Sequence, residues 1–532
     1  PYSRASARKR EINMLLPDAV AFMYALSIGG LNQLEILEAM ARADDTYGEV
    51  AQEYRSIVQE TQYFDTDYRT AIRNQALETP SDELAQFLTD MLSIINSGGD
   101  MTDFLSDKKD KHMRTAQQTQ EQTLETLELF GEMFMTLSLF PLLLIIILVI
   151  MNMLGQAQTQ LLYGTVYGLI PMTGIGFLVL IATVKQDEPG DGYLRLESGE
   201  REATGSPGLF NLGLVEQYRG DAAIFDRVAS REGTHATLQL LRNPHIFFRD
   251  NPLYVLVLTV PATVAIWAVA ILSGAAPTSF DAMMSQPVWG TFLYFYVPIY
   301  LNGVPLTVFR EWNVYSRRKV IGKLSDNLRK LSSANDTGLT LLESTRTVAE
   351  TTSGKLGDEF AIMYAKVQYG TSMKRSLIEF NNKYHIPRLA RTVKLISKAQ
   401  EASSQITQVL TTAAQASENQ DDIERERKSR TRMQVVIILM TYFTLLAVMA
   451  ILKTQFLDVM AGLSSQSGGG AGGFGGSIDI DLLSMLFFHA VTIQAVLSGF
   501  IAGYIRDAEL LSGMKFVVVL STSALAVWMV VG

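Results

Sequence analysis

The chain is 532 residues long and 48% hydrophobic, with a mean hydropathy of +0.15. Several windows of about 20 residues, the length a helix needs to cross a bilayer, carry almost no charge, which excludes a soluble protein. The absence of cysteine excludes disulfide frameworks, thiolate metal sites and cysteine nucleophiles, and the net charge of −9 argues against a nucleic-acid binder.

The chain opens on Pro1, as a fragment or processed form does, and residues 1–10 are polar and basic without a signal-peptide pattern. Arg4, Arg8, Lys9 and Arg10 cluster there as basic residues do just inside a span, so at least one further span is expected ahead of Pro1. Residues 1–132 then read as a helical bundle. Leu34, Leu37, Glu38, Met40 and Ala41 follow the three-and-four spacing of a helix with one buried face. Pro80 and Ser81 precede Asp82 and Glu83, a capping serine followed by first-turn acids, and Gly98 and Gly99 end the helix so begun.

Seven membrane helices are predicted, at about 133–154, 161–184, 253–275, 288–308, 435–460, 483–505 and 515–531. Between them, 185–252 is a connector whose stretch 186–220 is rich in Gly, Asp, Glu and Ser. Arg242 to Arg249, with Phe247 and Phe248 between them, has the character of an interfacial segment. Residues 309–433 form a second polar helical bundle, in which Leu339, Leu342, Thr345 and Val348 again keep helical spacing. The loop 464–477 is nearly all Gly and Ser, a tether.

Orientation follows from counting. If 1–132 faces the cytoplasm, the inner segments hold 44 of the 45 Lys and Arg residues, and only Lys453 lies near an outer end. Basic residues crowd the inner span ends: Arg249, Arg310, Arg317, Arg318, Lys319, Arg425, Arg427, Lys428, Arg430 and Arg432. The predicted layout is therefore a cytoplasmic bundle (1–132), a span pair (133–184), a cytoplasmic connector (185–252), a second span pair (253–308), a second cytoplasmic bundle (309–433) and three spans with a Gly-rich outer loop (434–532). The fold class is all-α: a polytopic membrane protein with two repeated cytoplasmic helical bundles and about seven transmembrane helices.

The two polar regions match each other. Gly30-Leu-Asn-Gln-Leu-Glu35 aligns with Gly338-Leu-Thr-Leu-Leu-Glu343, Glu53-Tyr54 with Glu359-Phe360, Pro80 with Pro387, and Phe104-Leu105 with Val409-Leu410. The offsets run from 305 to 308, and small drifts of this kind are what loop insertions produce. A shared leucine spacing alone would be expected of any two amphipathic bundles, but here the glycine, acid and proline agree as well.

Pro80-x-x-Glu83-Leu84, followed by Gly98-Gly99-x-Met101-x-x-Phe104-Leu105, resembles a motif of the type II secretion system F family, the inner-membrane platform proteins of type IV pilus-like machines. Pro387-Arg388-Leu389 opens the second copy. The run from Leu127 to Thr136, followed by Leu139-Phe140-Pro141-Leu142, is similar to the first span of the archaeal type IV pilus branch. The chain departs from the pattern at Glu401-Ala402-Ser403, where the family often has a Gly-rich turn. The resemblance implies a scaffold rather than an enzyme, without cofactors, whose partners are a hexameric secretion ATPase, pilin subunits and membrane lipids. A homodimer is expected. Lys108, Lys109, Lys111, Arg317, Arg318, Lys319, Arg425, Arg427, Lys428, Arg430 and Arg432 are the candidate ATPase-docking residues. The plainer reading of these clusters is topology and lipid headgroups. The inner segments sum to 44 basic and 50 acidic residues, so any docking is local and shape-specific.

No catalytic constellation is present. Ser353-Gly354-Lys355-Leu356 lacks the first glycine and the hydroxyl of a phosphate-binding loop, His112, His235, His245, His385 and His489 are scattered, and no Gly-x-Ser-x-Gly occurs. The glycine tract 468–476 is too repetitive for a phosphate loop. His489 alone lies well within a span, and packing between helices is the expected role. Gly164, Gly168, Gly174, Gly176, Gly499 and Gly503 allow close helix approach, while Pro141, Pro171, Pro261, Pro298 and Pro305 introduce bends. The competing assignments are the archaellum platform of the same family and, from a different class, a secondary transporter. A transporter's repeats lie within the membrane, whereas this repeat lies mainly in polar sequence. A membrane sensor would need a ligand or output module, and none is recognisable.

Overall fold

Capping chemistry sets the helix starts, and it does so twice in the same way. Gly30 and Gly338 both take φ +90, a value that strains residues bearing a Cβ. Each is followed by a reciprocal cap: the Glu35 N–H donates to Asn32 Oδ1 (3.0 Å) and the Asn32 N–H to Glu35 Oε2 (2.9 Å). In the second copy, the Thr340 N–H donates to Glu343 Oε2 (3.0 Å) and the Glu343 N–H to Thr340 Oγ1 (3.3 Å). Ser81 caps the next helix of the first copy by accepting from the Leu84 N–H (3.1 Å), and Gly98 ends it in the left-handed region at φ +70. Pro387 stands at the first helical position of its own helix. The motif positions are thus turns and caps.

The computed structural model describes residues 2–153, 159–184, 190, 192–195, 242–402, 406–457 and 480–531, and all regular structure in them is helical. The Gly/Ser tether at 464–477, most of the connector and Ser403 lie outside the described residues. The chain divides into two units. Unit one gathers Pro1–Glu121, Asp187–Thr237 and Val314–Arg425; unit two gathers Gln122–Gln186, Leu238–Asn313 and Glu426–Gly532.

In unit one the first copy contributes α1 (Tyr2–Ile28), α2 (Gln33–Ala41), α3 (Asp44–Tyr63), α4 (Tyr68–Glu78), α5 (Asp82–Ser97) and the start of α6 (Met101–Met153). Five elements of the second copy are α14 (Leu324–Asp336), α15 (Leu341–Thr351), α16 (Lys355–Gln368), α17 (Met373–Asn382) and α18 (Pro387–Ala402), before the start of α19 (Ile406–Ile451). Equivalent positions make equivalent bonds. Ser27 and Thr102 share a hydroxyl hydrogen bond (2.7 Å), and Thr407 donates to Asn335 Oδ1 (2.6 Å). Glu53 and Glu359 are both buried acids satisfied from neighbouring helices, Glu53 by Arg8 (2.9 Å) and Gln75, Glu359 by Lys383 (2.5 Å) and Tyr384 (2.6 Å).

Where the sequence suggests two bundles, unit one has a single apolar core. Ile12, Leu16, Val20 and Met23 of α1 share it with Leu389, Val393 and Ile396 of α18. The amphipathic readings hold in part. Leu37, Met40 and Ala41 are buried, as are Thr345 and Val348, but Leu34 is exposed, Leu342 is half-buried and Leu339 lies ahead of its helix, before the Thr340 cap.

Among the described residues, eight helices are long and apolar enough to cross a membrane, seven at the predicted places and α1 as the eighth. In α1 the apolar side chains fill the unit-one core, and Arg8, Lys9 and Asp18 are in ion pairs. In α10 (Val255–Leu272), by contrast, Val257, Leu258, Val264, Val269 and Leu272 are all exposed, as lipid-facing residues are.

Unit two is built around α20 (Ile480–Asp507), whose Leu483, Leu486, Phe487, Val491, Ala495 and Ile501 are buried on successive turns. Around it lie the apolar part of α6, then α7 (Thr159–Gly164) and α8 (Ile170–Val184). A short helix α9 (Pro244–Asp250) precedes α10, and α11 (Phe280–Ser285) and α12 (Pro287–Thr291) lead into α13 (Val297–Ile321). The unit ends with the apolar part of α19 and with α21 (Met514–Val531). The segment read as interfacial folds as α9, with His245 stacked on Trp312 (5.9 Å) and Phe248 against Phe309 (5.7 Å). The chain passes between the units inside α6, α13 and α19.

Two predicted prolines act by widening a helix. A π-turn at Thr165–Leu169 ends just before Pro171, and another at Phe292–Tyr296 just before Pro298. Each proline lacks the N–H that the carbonyl four residues earlier needs, and its ring crowds that carbonyl, so the turn opens. Pro141, Pro261 and Pro305 sit inside helices that continue through them.

Candidate functional site

In unit one, α18 presents Arg388, Arg391 and Lys394 along one side. Arg391 Nε donates to Asp18 Oδ2 of α1 at 2.9 Å, with both side chains buried or nearly so. Lys394 Nζ bonds both carboxylate oxygens of Asp45 on α3, at 3.0 and 3.1 Å. Arg388 turns the other way, to Asp421 Oδ1 of α19 (2.8 Å) and to the hydroxyl of Ser417 (2.8 Å). A cavity of about 40 Å³, lined in part by Asp18, Tyr47, Arg388 and Arg391, lies at this junction. Burial, and then the Asp18 carboxylate, push the Tyr47 hydroxyl pKa far above its usual value. Apolar faces alone attract without direction. Two buried ion pairs at fixed spacing allow one alignment of the copies, because any slip leaves a desolvated charge without its counter-ion.

The predicted docking residues are placed as follows. Lys108 pairs with Asp90 and lies over the Phe104 ring (5.6 Å), and Lys109 lies over the Tyr24 ring (4.6 Å), so both fold down onto the bundle. Lys111 is exposed. Arg318 and Lys319 are exposed and Arg317 is half-buried, with Lys319 over the Tyr315 ring (4.4 Å). On α19, Arg425 is exposed beside Asp422 (3.5 Å), Arg430 pairs with Glu426 (3.0 Å), Arg432 is exposed, and Arg427 and Lys428 are half-buried. Two residues of the terminal cluster are engaged within unit one: Arg8 meets Glu49 and Glu53, each at 2.9 Å, and Lys9 meets Asp82 at 2.5 Å, while Arg4 and Arg10 are exposed.

In unit two, His489 joins three helical segments. Thr291 Oγ1 donates to the Pro287 carbonyl (2.7 Å), so it accepts from the His489 Nε2–H (2.8 Å); Nδ1 then accepts from the Tyr167 hydroxyl. Tyr167 lies in the first π-turn, and Phe295, whose ring centroid is 6.0 Å from the imidazole, lies in the second. The histidine therefore stands against both proline-widened turns. Of the predicted small-residue contacts, Gly174 abuts Leu497, Gly499 abuts the Val517 backbone and Gly503 the Gly513 backbone, while Gly164, Gly168 and Gly176 have open space beside them.

Sequence reasoning missed the junction pairs and the partners of His489. A signal for the first existed: Asp18 is a lone acid in the apolar run of α1. Tyr167 and Thr291 gave none, being ordinary residues of apolar segments.

The type II secretion system protein F model matches the chain in two segments, residues 19–149 and 328–452. Their starts lie 309 residues apart and their ends 303, bracketing the offsets of the internal matches. An uncharacterized protein of Methanocaldococcus jannaschii is 18% identical over 530 residues, 98% of this chain and 80% of its own length. Flagella accessory protein J is 26% identical in Methanocaldococcus jannaschii and 28% in Methanococcus voltae, each over 136 residues that cover 26% of this chain and 24% of the relative. No solved structure matches the chain. Proteins of the matched family are membrane platforms and not enzymes. The two-segment match and the set of apolar helices mark the chain as a multi-pass membrane protein that carries the type II secretion system protein F domain in two segments.

Proposed function

We propose that this protein is the membrane platform of a type IV pilus-like assembly machine, coupling a cytoplasmic hexameric secretion ATPase to extraction of pilin subunits from the bilayer and their stacking into a filament. The observation that carries the reading is the two-segment family match, on copies locked to each other by Asp18–Arg391 and Asp45–Lys394. In this reading the bundles 1–132 and 309–433 face the cytoplasm, which the crowding of basic residues on one side supports. The ATPase engages exposed and half-exposed charge, with Arg425, Arg427, Lys428, Arg430, Arg432, Arg317, Arg318 and Lys111 the first candidates. Lys108, Lys109 and Lys319 contribute less, because their ammonium groups already lie against ring faces. The protein works as a homodimer.

Reversing Arg425, Arg427 and Lys428 together to Glu is expected to weaken co-purification with the partner ATPase while leaving unit-two helices intact. Unchanged recovery would remove this docking surface. Deleting the gene should abolish surface filaments and adhesion.

A second reading, the archaellum platform, is favoured by the two relatives named flagella accessory protein J. It predicts loss of swimming with adhesion filaments retained, so the same deletion separates the two.

A further inference from the structure

Residues 192–195 pack against unit one, with Gly192 and Leu194 buried and Tyr193 and Arg195 exposed. Alternation of this kind is the period of an extended segment with one face covered. The backbone is read by two asparagines at the end of α17. The Leu194 N–H donates to Asn382 Oδ1 (2.9 Å), and Asn382 Nδ2 donates back to the Leu194 carbonyl (2.9 Å). Asn381 Nδ2 donates to the Gly192 carbonyl (2.8 Å) and to Asn382 Oδ1 (3.1 Å), which holds the second amide in its reading orientation. One primary amide spanning both backbone groups of a residue imitates the ladder that a neighbouring strand would supply.

The side chains are selected as well. Tyr193 stacks on His385 with ring centroids 5.8 Å apart and planes 16° apart. Leu194 is 1% exposed and lies beside Ile378, Lys394 and Ser397. Gly192 takes φ +72, and a Cβ there would come within 2.5 Å of the Ile386 nitrogen and 2.6 Å of the His385 carbonyl carbon, both rigid backbone. The Arg195 N–H donates to Asp45 Oδ2 (3.4 Å), the carboxylate that also pairs with Lys394. These contacts specify glycine, then a ring stacked on His385, then leucine, on a backbone gripped at four polar groups.

We propose that Asn381, Asn382, His385 and the recess beside Ile378 form a binding site for an extended peptide with glycine and leucine two residues apart, and that in this chain the site is filled in cis by its own 192–195. The site adjoins the ion pair that joins the two copies. A partner segment of the same pattern therefore reaches that junction by displacing the chain's own occupant.

The test uses the full chain in lipid nanodiscs and a fluorescent peptide of residues 190–197. Gly192→Ala empties the site, because its new methyl group collides with the backbone at 385–386, yet every residue of the site is left as it was. The peptide is expected to bind the Gly192→Ala chain at least about tenfold more tightly than the wild type, whose tethered segment competes at an effective concentration on the order of millimolar. Asn382→Ala on the Gly192→Ala background is expected to weaken peptide binding by about tenfold or more, since two hydrogen bonds are lost together. A peptide with alanine in place of its second glycine should not bind. Leu194→Asp is the second means of emptying the site, should the first variant fold poorly. Equal binding to wild type and both emptied variants, absence of binding to either emptied variant, or indifference to Asn382→Ala would each overturn the proposal.

Discussion

Asp18 of the first copy and Arg391 of the second face each other at 2.9 Å inside the shared core of unit one. This pair, with Asp45 and Lys394 beside it, makes one body of two repeats. Arg391→Gln or Asp18→Asn leaves a buried charge without its counter-ion and is expected to destabilise unit one by about 3–5 kcal/mol. Replacing both by leucine should restore most of the loss, because the desolvation of two ions is then avoided as well. Calorimetric unfolding of the purified chain reads the difference. Single variants as stable as the wild type would show that the apolar faces alone hold the copies together.

His112, near the start of α6 and packed edge-on to Phe87 (6.0 Å), is pushed down to a pKa of about 4, by burial first and then by Lys111 and Lys108. A histidine whose folded pKa lies below its unfolded value of about 6.5 takes up its proton first in the unfolded chain. Its contribution is therefore fully present above about pH 6.5 and falls as the pH drops toward 4, by on the order of 2 kcal/mol once partial solvation is allowed for. Denaturant midpoints measured between pH 4 and 7 should show this limb in the wild type and flatten in His112→Phe. A limb of equal size in both proteins would assign it to other groups.

His489 bonds Tyr167 of the first π-turn and Thr291, the residue just ahead of the second. His489→Leu leaves both hydroxyls without this partner and is expected to cost about 1–3 kcal/mol. Tyr167→Phe and Thr291→Val should each cost less, and their effects should not add to that of His489→Leu, because all three remove the same network. Thermal melts in nanodiscs measure this; strict additivity would mean that the three side chains act separately.

Glycines of the same span-forming unit divide by what faces them. A Cβ at Gly503 meets the Gly513 backbone, which has no freedom to withdraw, whereas nothing lies within 4 Å of one at Gly176. Gly503→Ala is expected to destabilise the α20–α21 pair by about 1–3 kcal/mol, and Gly176→Ala to be neutral. Equal melting temperatures for the two variants would contradict the close approach.

Much of the fold was legible because its causes are local. A run of about 20 uncharged apolar residues has one stable conformation in lipid, so the seven spans could be placed from hydropathy alone. The turn-and-cap motifs at Gly30 and Gly338 were legible for the same reason, each being complete within six residues. Candidate docking residues could be listed by charge, but not the fact that Lys108 and Lys109 bend back onto aromatic rings, since Phe104 and Tyr24 become their neighbours only on packing.

By itself, then, the sequence determined the helical class, the spans, the charge asymmetry and the doubled motif, all of which depend on residues near one another along the chain. Only the tertiary structure decided that the two copies share one core, that His489 stands against two widened turns, and that four connector residues sit in a seat of asparagines. Each of those rests on a pairing between residues far apart in sequence. Such a pairing is fixed by shape and by the cost of leaving a buried polar group unmet, neither of which composition or spacing records.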